Sequence, residues 1–567
     1  MRVRVISCII LLVAGIILCR LIYVQLLHGD EYAIIADRQY ARAPSNEFSR
    51  GTIFFEEKDG GRVSAATLED IYYLVLNPTQ IDGPERLYGV LQEHLTVSKE
   101  SFIARATKRQ DTYEVVEKNL GADDAAAITR VHEPGVTVYT EKKRYYPGGS
   151  LGSTFLGFVG KTSESGDAAI GRAGLEAYFD DVLTRHAGGL YVNFFAEIFS
   201  NISSVFSDGG DRLDGDIVTT IEPTVQRELE KVLKSTEALW HADRLGGVIL
   251  DPLTGKIIAM AGYPNFDPNT YNTVKDPHVF QNATVENLYE MGSIMKPLAM
   301  AAALDAGVVS PTTTYHDTGT ITLDTKKISN FDGKARGRVT MQEVLNQSLN
   351  VGMVFVEQKL GNTAFAKYMK AYGFGAKTNV ELPNEAAGLV ANLSSNRDVN
   401  YATAAFGQGI AVTPIQMATA LAVLGNGGKL VSPHIVERIE YRVGITDQTD
   451  FAQSVQVLQP ETSKTITDML VTVVDKALLN GKAKMDRYTI AAKTGTAQMV
   501  NATTKEYDAH RYLHSFFGYF PAYQPKFLIL LFQTDPKGAQ YASATLTDPF
   551  MDLTKFLINY YNIPPDR

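Results

Sequence analysis

The pattern of apolar and polar positions changes character along the chain, and it begins with a continuous apolar stretch. Residues 5–19 are apolar with little interruption, and after Arg20 residues 21–27 continue mostly so. With Arg20 snorkelling toward the interface, about 20 residues are available to span a hydrocarbon core. Arg2 and Arg4 precede the run and Asp30 and Glu31 follow it, which places the N-terminus inside and the bulk of the chain outside. A cleaved signal peptide is the rival reading. No small-x-small cleavage site follows the apolar core, and bulky Leu18 disfavours lipid modification of Cys19. The pattern predicts a cytoplasmic tail at 1–4 and a single transmembrane helix at 5–27.

From about 30 to 215, short strand-like runs alternate with helical stretches. Arg50-Gly51-Thr52-Ile53, Tyr146-Pro147-Gly148-Gly149 and Gly171-Arg172-Ala173-Gly174-Leu175-Glu176 stand out there, with glycines suited to turns. This region reads as a structural spacer, and the turn-rich Asp208-Gly209-Gly210-Asp211 marks its end. Beyond it, 216–221 alternates like a strand and 223–239 has helical periodicity. Residues 246–250 and 256–261 flank Asp251-Pro252-Leu253-Thr254-Gly255, a hairpin signature. A mainly helical region follows, including 291–306 and 341–359. Strands are predicted at 488–492, 515–520 and 526–533, and a closing helix at 549–561, capped by Asp548 with Pro549 in its first turn. Strands first, helices next and strands last predict an α+β unit with one antiparallel sheet assembled from both ends.

A length of 567 residues calls for two or three units besides the anchor. The net charge of -9 argues against nucleic acid as a partner. No Cys/His spacing suggests a metal site, and neither a dinucleotide fingerprint nor a phosphate-binding loop occurs, so no cofactor is expected. The two cysteines, Cys8 and Cys19, both fall in the first apolar segment. That excludes a disulfide framework and is compatible with export.

Three short motifs carry candidate chemistry. Met291-Gly292-Ser293-Ile294-Met295-Lys296 opens an apolar helical run, so Ser293 and Lys296 share a helix face. A serine hydroxyl needs a base to become a nucleophile, and a lysine serves if burial or a nearby cation favours its neutral form. Ser293 at a helix start also gains from unpaired N–H groups. Ser348-Leu349-Asn350 offers a proton-relaying hydroxyl and an amide that can orient a peptide. Ser394-Ser395-Asn396 has the same spacing but lies in a loop-like stretch, whereas regular apolar segments flank Ser348. Lys493-Thr494-Gly495-Thr496 follows a strand, so Lys493 and Thr494 point to opposite faces. Lys493 can place its charge beside Ser293 and Lys296, Gly495 lets a substrate strand approach, and Thr496 can bind a terminal carboxylate. The N–H groups of Ser293 and Thr496 suit an oxyanion hole. His510 and His514 are given no catalytic role.

In this order, the three motifs match the Ser-x-x-Lys, Ser-x-Asn and Lys-Thr-Gly set of penicillin-binding proteins and class A β-lactamases. The chain resembles a class B penicillin-binding protein over nearly its whole length. Similar marks are Asp251-Pro252-x-Thr254-Gly255, Phe266-Asp267-Pro268-Asn269, Phe406-Gly407-Gln408-Gly409, Thr413-Pro414-x-Gln416 and the pedestal motifs at Tyr146-Pro147 and 171–176. The resemblance implies an elongated α/β pedestal or dimerisation domain over 28–215. It implies a transpeptidase domain over 216–567 with a mainly antiparallel five-stranded sheet flanked by helices. It also implies that Ser293 attacks the penultimate D-Ala carbonyl of a peptidoglycan stem peptide, releases D-Ala and passes the acyl group to an acceptor amine. Lys296 would be the base, Ser348 the relay to the leaving group and Lys493 the electrostatic tuner. Asn350 would hold the acyl side chain, and Lys493, Thr494 and Thr496 would seat the carboxylate beside Gly495. β-Lactams would acylate the same serine. The expected setting is the inner membrane with the catalytic domain periplasmic, beside a membrane-embedded glycan polymerase and other cell-wall machinery.

One departure concerns the pedestal. The Asp-Arg pair that usually follows Arg-Gly-x-Ile is replaced by Phe54-Phe55-Glu56-Glu57-Lys58-Asp59-Gly60-Gly61, which bears on polar contacts between pedestal segments and not on the catalytic motifs. Two rivals share the motifs. A D,D-carboxypeptidase or β-lactamase would use water as acceptor, but no counterpart of a deacylating glutamate is found. A non-catalytic scaffold or β-lactam sensor should have lost a motif or gained a signalling segment. A chain that stops soon after the closing helix leans toward a division role over an elongation role.

Overall fold

The computed structural model describes residues 48–161, 169–185, 213–448, 454–501, 503–504 and 506–567. The tail at 1–4, the anchor at 5–27 and the boundary turn at 208–211 lie outside the described residues. Among the described residues no helix is long and apolar enough to cross a membrane.

The chain divides into two compact units, and Glu69–Lys143 belongs to the first. There, residues 72–76 pair antiparallel with Glu114–Leu120. Helices Pro84–Leu91, Lys99–Ala106 and Ala122–Val131 accompany the strands. Leu74, Leu76, Leu87, Phe102, Val116 and Ile128 form their shared core. Ser98 starts the second helix by accepting the Ser101 N–H at 3.3 Å, as an N-cap serine should.

Arg50–Leu68, Arg144–Thr184 and Gly210–Arg567 belong to the second unit. Strand β1 (Ile53–Glu56) pairs antiparallel with residues 62–66 and parallel with β2 (Gly215–Thr219). β2 pairs in turn antiparallel with Val436–Tyr441. This sheet is mixed, which corrects the expectation of one antiparallel sheet. The strand expected at 216–221 forms, but in this sheet. Alternation predicts that a strand exists and which face is apolar, not which strand it will pair with.

The main sheet lies between helices and is antiparallel at every pairing. After α1 (Pro223–Trp240) come β3 (Arg244–Leu250) and β4 (Ile257–Tyr263), joined by the predicted Asp251–Gly255 turn. Near the C-terminus β5 (Ala491–Val500), β6 (Tyr507–Phe520) and β7 (Phe527–Thr534) complete it, in the order β5-β6-β7-β3-β4. Every residue of β7 is buried, because both faces are covered. Leu528 and Leu530 join the core of the helical region, while Ile529 and Leu531 pack into a second core with α1 residues such as Leu229 and Leu233.

The helical region contains α2 (Lys296–Asp305), α3 (Met341–Asn346), α4 (Asn350–Leu360) and α5 (Asn362–Ala371). The helix expected over 341–359 is therefore broken, and Ser348 sits in the break with φ +52°. The strand expected at 488–492 starts at Ala491 and carries the whole Lys-Thr-Gly-Thr segment. The closing helix α6 (Thr547–Tyr560) begins two residues before the expected start, so Asp548 lies in its first turn and does not cap it.

The glycine-rich motifs before residue 177 meet in one buried polar cluster. Glu176 is fully buried and accepts from Arg50 Nε at 2.6 Å, Arg144 Nε at 2.6 Å and the Tyr146 hydroxyl at 3.1 Å. Arg50 Nη1 also donates to Asp180 at 2.8 Å, and the Tyr146 N–H donates to Asn269 Oδ1 at 2.9 Å. The substitutions after Ile53 leave these inter-segment contacts in place, because the contacts come from the motif positions themselves. Burial alone would raise the Glu176 carboxyl, but Arg144 and Arg50 outweigh it and hold its pKa below the ordinary carboxylate value. A depressed carboxylate contributes stability above its unfolded pKa and loses it as pH falls through the folded value. Glu176→Ala should lower the unfolding free energy at neutral pH by about 3–5 kcal/mol, since two guanidinium groups lose their buried partner. In urea titrations the wild-type advantage should shrink in acid.

Candidate active site

The first motif residues sit where a tight turn becomes a buried helix. Gly292–Met295 is a 3-10 turn that runs directly into α2. Ser293 is half-buried in it, and its carbonyl accepts the Lys296 backbone N–H. Helix α2 is apolar nearly all round, so it is enclosed by its neighbours and carries Lys296 into the interior with it. Lys296 is fully buried. Its Nζ donates to Ser348 O at 2.6 Å and Asn350 Oδ1 at 2.8 Å, and it lies 3.1 Å from Ser348 Oγ.

The second motif occupies the break between α3 and α4. A left-handed backbone is costly for a residue with a Cβ and is kept where the surroundings enforce it. At Ser348 it accompanies a carbonyl and a hydroxyl that both meet Lys296. Asn350 opens α4 and donates Nδ2–H to Ser329 O at 2.9 Å, which turns its Oδ1 toward Lys296. The Ser329-Asn330 segment is itself fixed. Asn330 Oδ1 accepts the Val351 N–H at 3.1 Å, and Asn330 Nδ2 donates to both carboxylate oxygens of buried Asp317 at 3.0 Å.

The third motif lies on β5, an edge strand of the main sheet. Lys493 and Gly495 are buried on one face while Thr494 and Thr496 are half-exposed on the other, the alternation a strand imposes. Lys493 Nζ donates to Ser348 Oγ at 3.2 Å and Thr494 O at 3.0 Å. Gly495 is required by close approach. A Cβ there would sit 2.3 Å from Ser515 Oγ and 2.7 Å from Met291 O, so nothing larger lets the strand lie against the Ser293 turn. Ser515 Oγ donates to that same Met291 carbonyl at 2.7 Å. Thr496 Oγ1 accepts the Ala542 N–H at 3.1 Å, which leaves its own O–H available for an acceptor.

Lys296, Ser348, Asn350 and Lys493 thus form one hydrogen-bonded group, with the Ser293 turn packed beside Gly495. Both amines approach one hydroxyl, so they are no more than roughly 6 Å apart. At that distance two ammonium charges repel by about 3 kcal/mol with an effective dielectric near 20. Burial, and secondly the charge of Lys493, hold the Lys296 pKa well below the ordinary lysine value. Burial lowers Lys493 as well, to about 8. A neutral Lys296 has two N–H bonds, which Ser348 O and Asn350 Oδ1 can take, and one lone pair left to accept a proton.

The remaining candidates fall elsewhere. Ser394 ends a 3-10 turn, Ala391–Ser394, and Ser395 Oγ accepts from Asn400 Nδ2 at 2.8 Å, so this stretch serves its own loop. His514 is buried and engages Thr545 Oγ1 at 2.8 Å and Gln540 O at 3.1 Å. Burial pulls its pKa down to about 4, so it is a neutral packing residue at physiological pH. The backbone N–H of His510 donates to Asp508 at 2.8 Å. Asp317, Asn330 and Ser515 support the site, yet nothing in their spacing singles them out. Glu290 does the same: it accepts the Gly409 N–H at 2.9 Å and the Tyr507 hydroxyl at 2.9 Å. Its place just before the Ser-x-x-Lys motif is the only signal that points to it.

Two family models match the chain. The penicillin binding protein transpeptidase domain matches residues 245–552, more than half of the sequence, and the penicillin-binding protein dimerisation domain matches 48–197. The chain belongs to the class B penicillin-binding proteins. It is 31% identical to stage V sporulation protein D of Bacillus subtilis, over 94% of this chain and 81% of that protein. It is 26% identical to the peptidoglycan D,D-transpeptidase FtsI of Escherichia coli K12, over 98% and 91% respectively. The solved structure of penicillin binding protein 3 from Mycobacterium tuberculosis with aztreonam shares the fold, with TM-score 0.68, 22% identity and coverage of 92% and 98%. Within this family's fold, Gly495→Ala should cost about 1–3 kcal/mol of stability, because the added methyl meets backbone that cannot move aside. A thermal melt of the variant against wild type measures it.

Proposed function

We propose that this class B penicillin-binding protein is a peptidoglycan D,D-transpeptidase acting through an acyl-enzyme on Ser293, and that β-lactams inhibit it by acylating the same hydroxyl. The observation that carries the reading is the fully buried Lys296 amine, hydrogen-bonded to Ser348 and Asn350 with Lys493 on the far side of the same hydroxyl. Neutral Lys296 takes the Ser293 proton as Oγ attacks the penultimate D-Ala carbonyl. The oxyanion is held by the N–H groups of Ser293 and Thr496. Ser348 passes a proton to the departing amine, the carbonyl–nitrogen bond breaks and D-Ala leaves. The acceptor amine of a second stem peptide then attacks the ester, loses its proton through the same relay and restores the serine. Asn350 orients the acyl portion, while Lys493, Thr494 and Thr496 receive the terminal carboxylate beside Gly495. The naming of FtsI as a peptidoglycan D,D-transpeptidase and the aztreonam complex of the tuberculosis protein support this choice of substrate and inhibitor.

The protein is further read as anchored in the inner membrane by residues 5–27, with its catalytic unit periplasmic. There it works beside a membrane-embedded glycan polymerase, in septal synthesis rather than elongation. Fluorescent fusions gathering along the side wall and not at the septum would reverse that last choice.

Fluorescent penicillin should label the wild type and not Ser293→Ala, and labelled Ser293→Ala would refute the nucleophile. Steady β-lactam turnover in place of a long-lived adduct would make the protein a hydrolase. Lys296→Ala should slow acylation by about 10²–10⁴-fold. The rate should also fall above about pH 8, where Lys493 loses the charge that it carries below its pKa. Stopped-flow acylation across pH tests this, and Lys493→Arg, which stays charged, should remove the alkaline decline.

A further inference from the structure

Two exposed aromatic rings meet beside the catalytic group, and the reaction described above uses neither. Phe331 is 54% exposed and Tyr541 40% exposed, yet their ring centroids lie 5.9 Å apart, edge to face at 83°. A single exposed aromatic residue needs no explanation, but two brought together from remote loops do. Phe331 belongs to the turn after the strand Lys326–Ser329, and Tyr541 immediately precedes the short helix Ala542–Thr545.

Each ring is attached next to a residue that shapes the site, and the two come from opposite sides of it. Asn330, the neighbour of Phe331, accepts the Val351 N–H at 3.1 Å, and Ser329 O accepts from Asn350 at 2.9 Å. Ala542, the neighbour of Tyr541, donates its N–H to Thr496 Oγ1 at 3.1 Å. The pair therefore spans from the Asn350 side to the Thr496 side. Phe331 is held in place by Arg336, whose Cζ lies 5.7 Å from its ring centroid. That guanidinium is itself fixed by Asp332 at 2.6 and 2.9 Å and by Gln347 Oε1 at 3.0 Å. An edge-to-face contact favours the joined arrangement by about 2–10-fold beyond the area it buries.

We propose that Phe331 and Tyr541 are specificity-determining residues that close the pocket for the side chain of the departing D-Ala and so require a small C-terminal residue. The inference rests on the reading that Thr494 and Thr496 seat the terminal carboxylate. That carboxylate and the terminal side chain share one Cα, so the side chain projects beside Thr496 and meets the joined rings. A methyl group fits with the rings in contact. A benzyl group must part them and lose the contact. The pair thus selects the leaving group by size and takes no part in proton transfer or oxyanion binding.

Two thioester donors test this on the full chain in detergent micelles. Both carry N-acetyl-D-alanyl as the acyl group. One leaves as thiolactate, which has the methyl of D-Ala, and the other as phenylthiolactate, which has a benzyl group in its place. In each, the bond from Ser293 Oγ to the acyl carbon forms, the carbon–sulfur bond breaks, and the released thiol is read with a chromogenic disulfide. Wild type should release thiolactate at least about tenfold faster. Phe331→Ala and Tyr541→Ala should each bring the two rates to within about threefold, whereas Tyr541→Phe, which keeps the ring, should retain the wild-type preference. Both rates are taken on one sample, so a partly unfolded variant does not alter their ratio. Fluorescent penicillin on the wild type checks the acyl-enzyme separately, and no label would overturn the reaction and this inference with it. A labelled protein that releases neither thiol or both equally, or alanine variants that keep the wild-type preference, would overturn this inference alone.

Discussion

The catalytic unit is organised around two lysine amines brought to one serine hydroxyl in a place that water hardly reaches. In water both would be charged and far apart. Here Lys296 and Lys493 are almost entirely buried and share Ser348 Oγ at 3.1 and 3.2 Å. Mutual repulsion and desolvation then act together, and the cheaper outcome is to leave one amine neutral. Lys296 is the more deeply buried, and it has acceptors for two N–H bonds and a lone pair to spare. A neutral amine beside a serine turn is what a serine nucleophile requires. The feature that makes the site expensive to fold is therefore also the one on which the proposed reaction draws.

Such an arrangement persists only if its neighbours cannot relax. Asn350 cannot rotate its amide without losing Ser329 O, and that segment is held by Asn330 and Asp317. Left-handed Ser348 cannot return to helical geometry without withdrawing its carbonyl from Lys296. On the strand side, the lack of a side chain at Gly495 lets β5 lie directly against Met291 and Ile294. The group is therefore clamped from a helix break and a sheet edge at once, as preorganised electrostatics demands. The same economy of shape governs the Arg50, Arg144, Tyr146 and Glu176 cluster. There, glycine-rich motifs bring chain segments close enough for one buried carboxylate to satisfy several donors.

Much of this was legible in the sequence, for reasons that can be stated residue by residue. Ser293 and Lys296 are three apart at the head of an apolar run, and helical geometry makes such a pair neighbours. Lys493 and Gly495 alternate with the two threonines because a strand leaves no other choice. The hairpin around Asp251–Gly255 announced itself through its proline and glycine. Less was legible where the partner is remote. Strand β2 was visible as a strand, but its pairing with β1 and Val436–Tyr441 depends on residues more than a hundred positions away. The break at Ser348 was hidden inside an otherwise helical pattern, because local propensity does not report that a tertiary contact will bend the chain. Asp317 and Asn330 carry no motif, since their importance comes wholly from what they touch.

By itself the sequence determined which groups exist and how their immediate neighbours are arranged: a hydroxyl one helical turn from an amine, a lysine and a glycine on one strand face, and a serine and asparagine flanking a leucine. These follow from backbone periodicity, which acts over a few residues. Only the tertiary structure decided that Lys296, Ser348, Asn350 and Lys493 are one site, and that one of the two amines is placed to be neutral. Protonation and pairing depend on burial and on distances between residues far apart in the chain, and a linear pattern contains neither quantity.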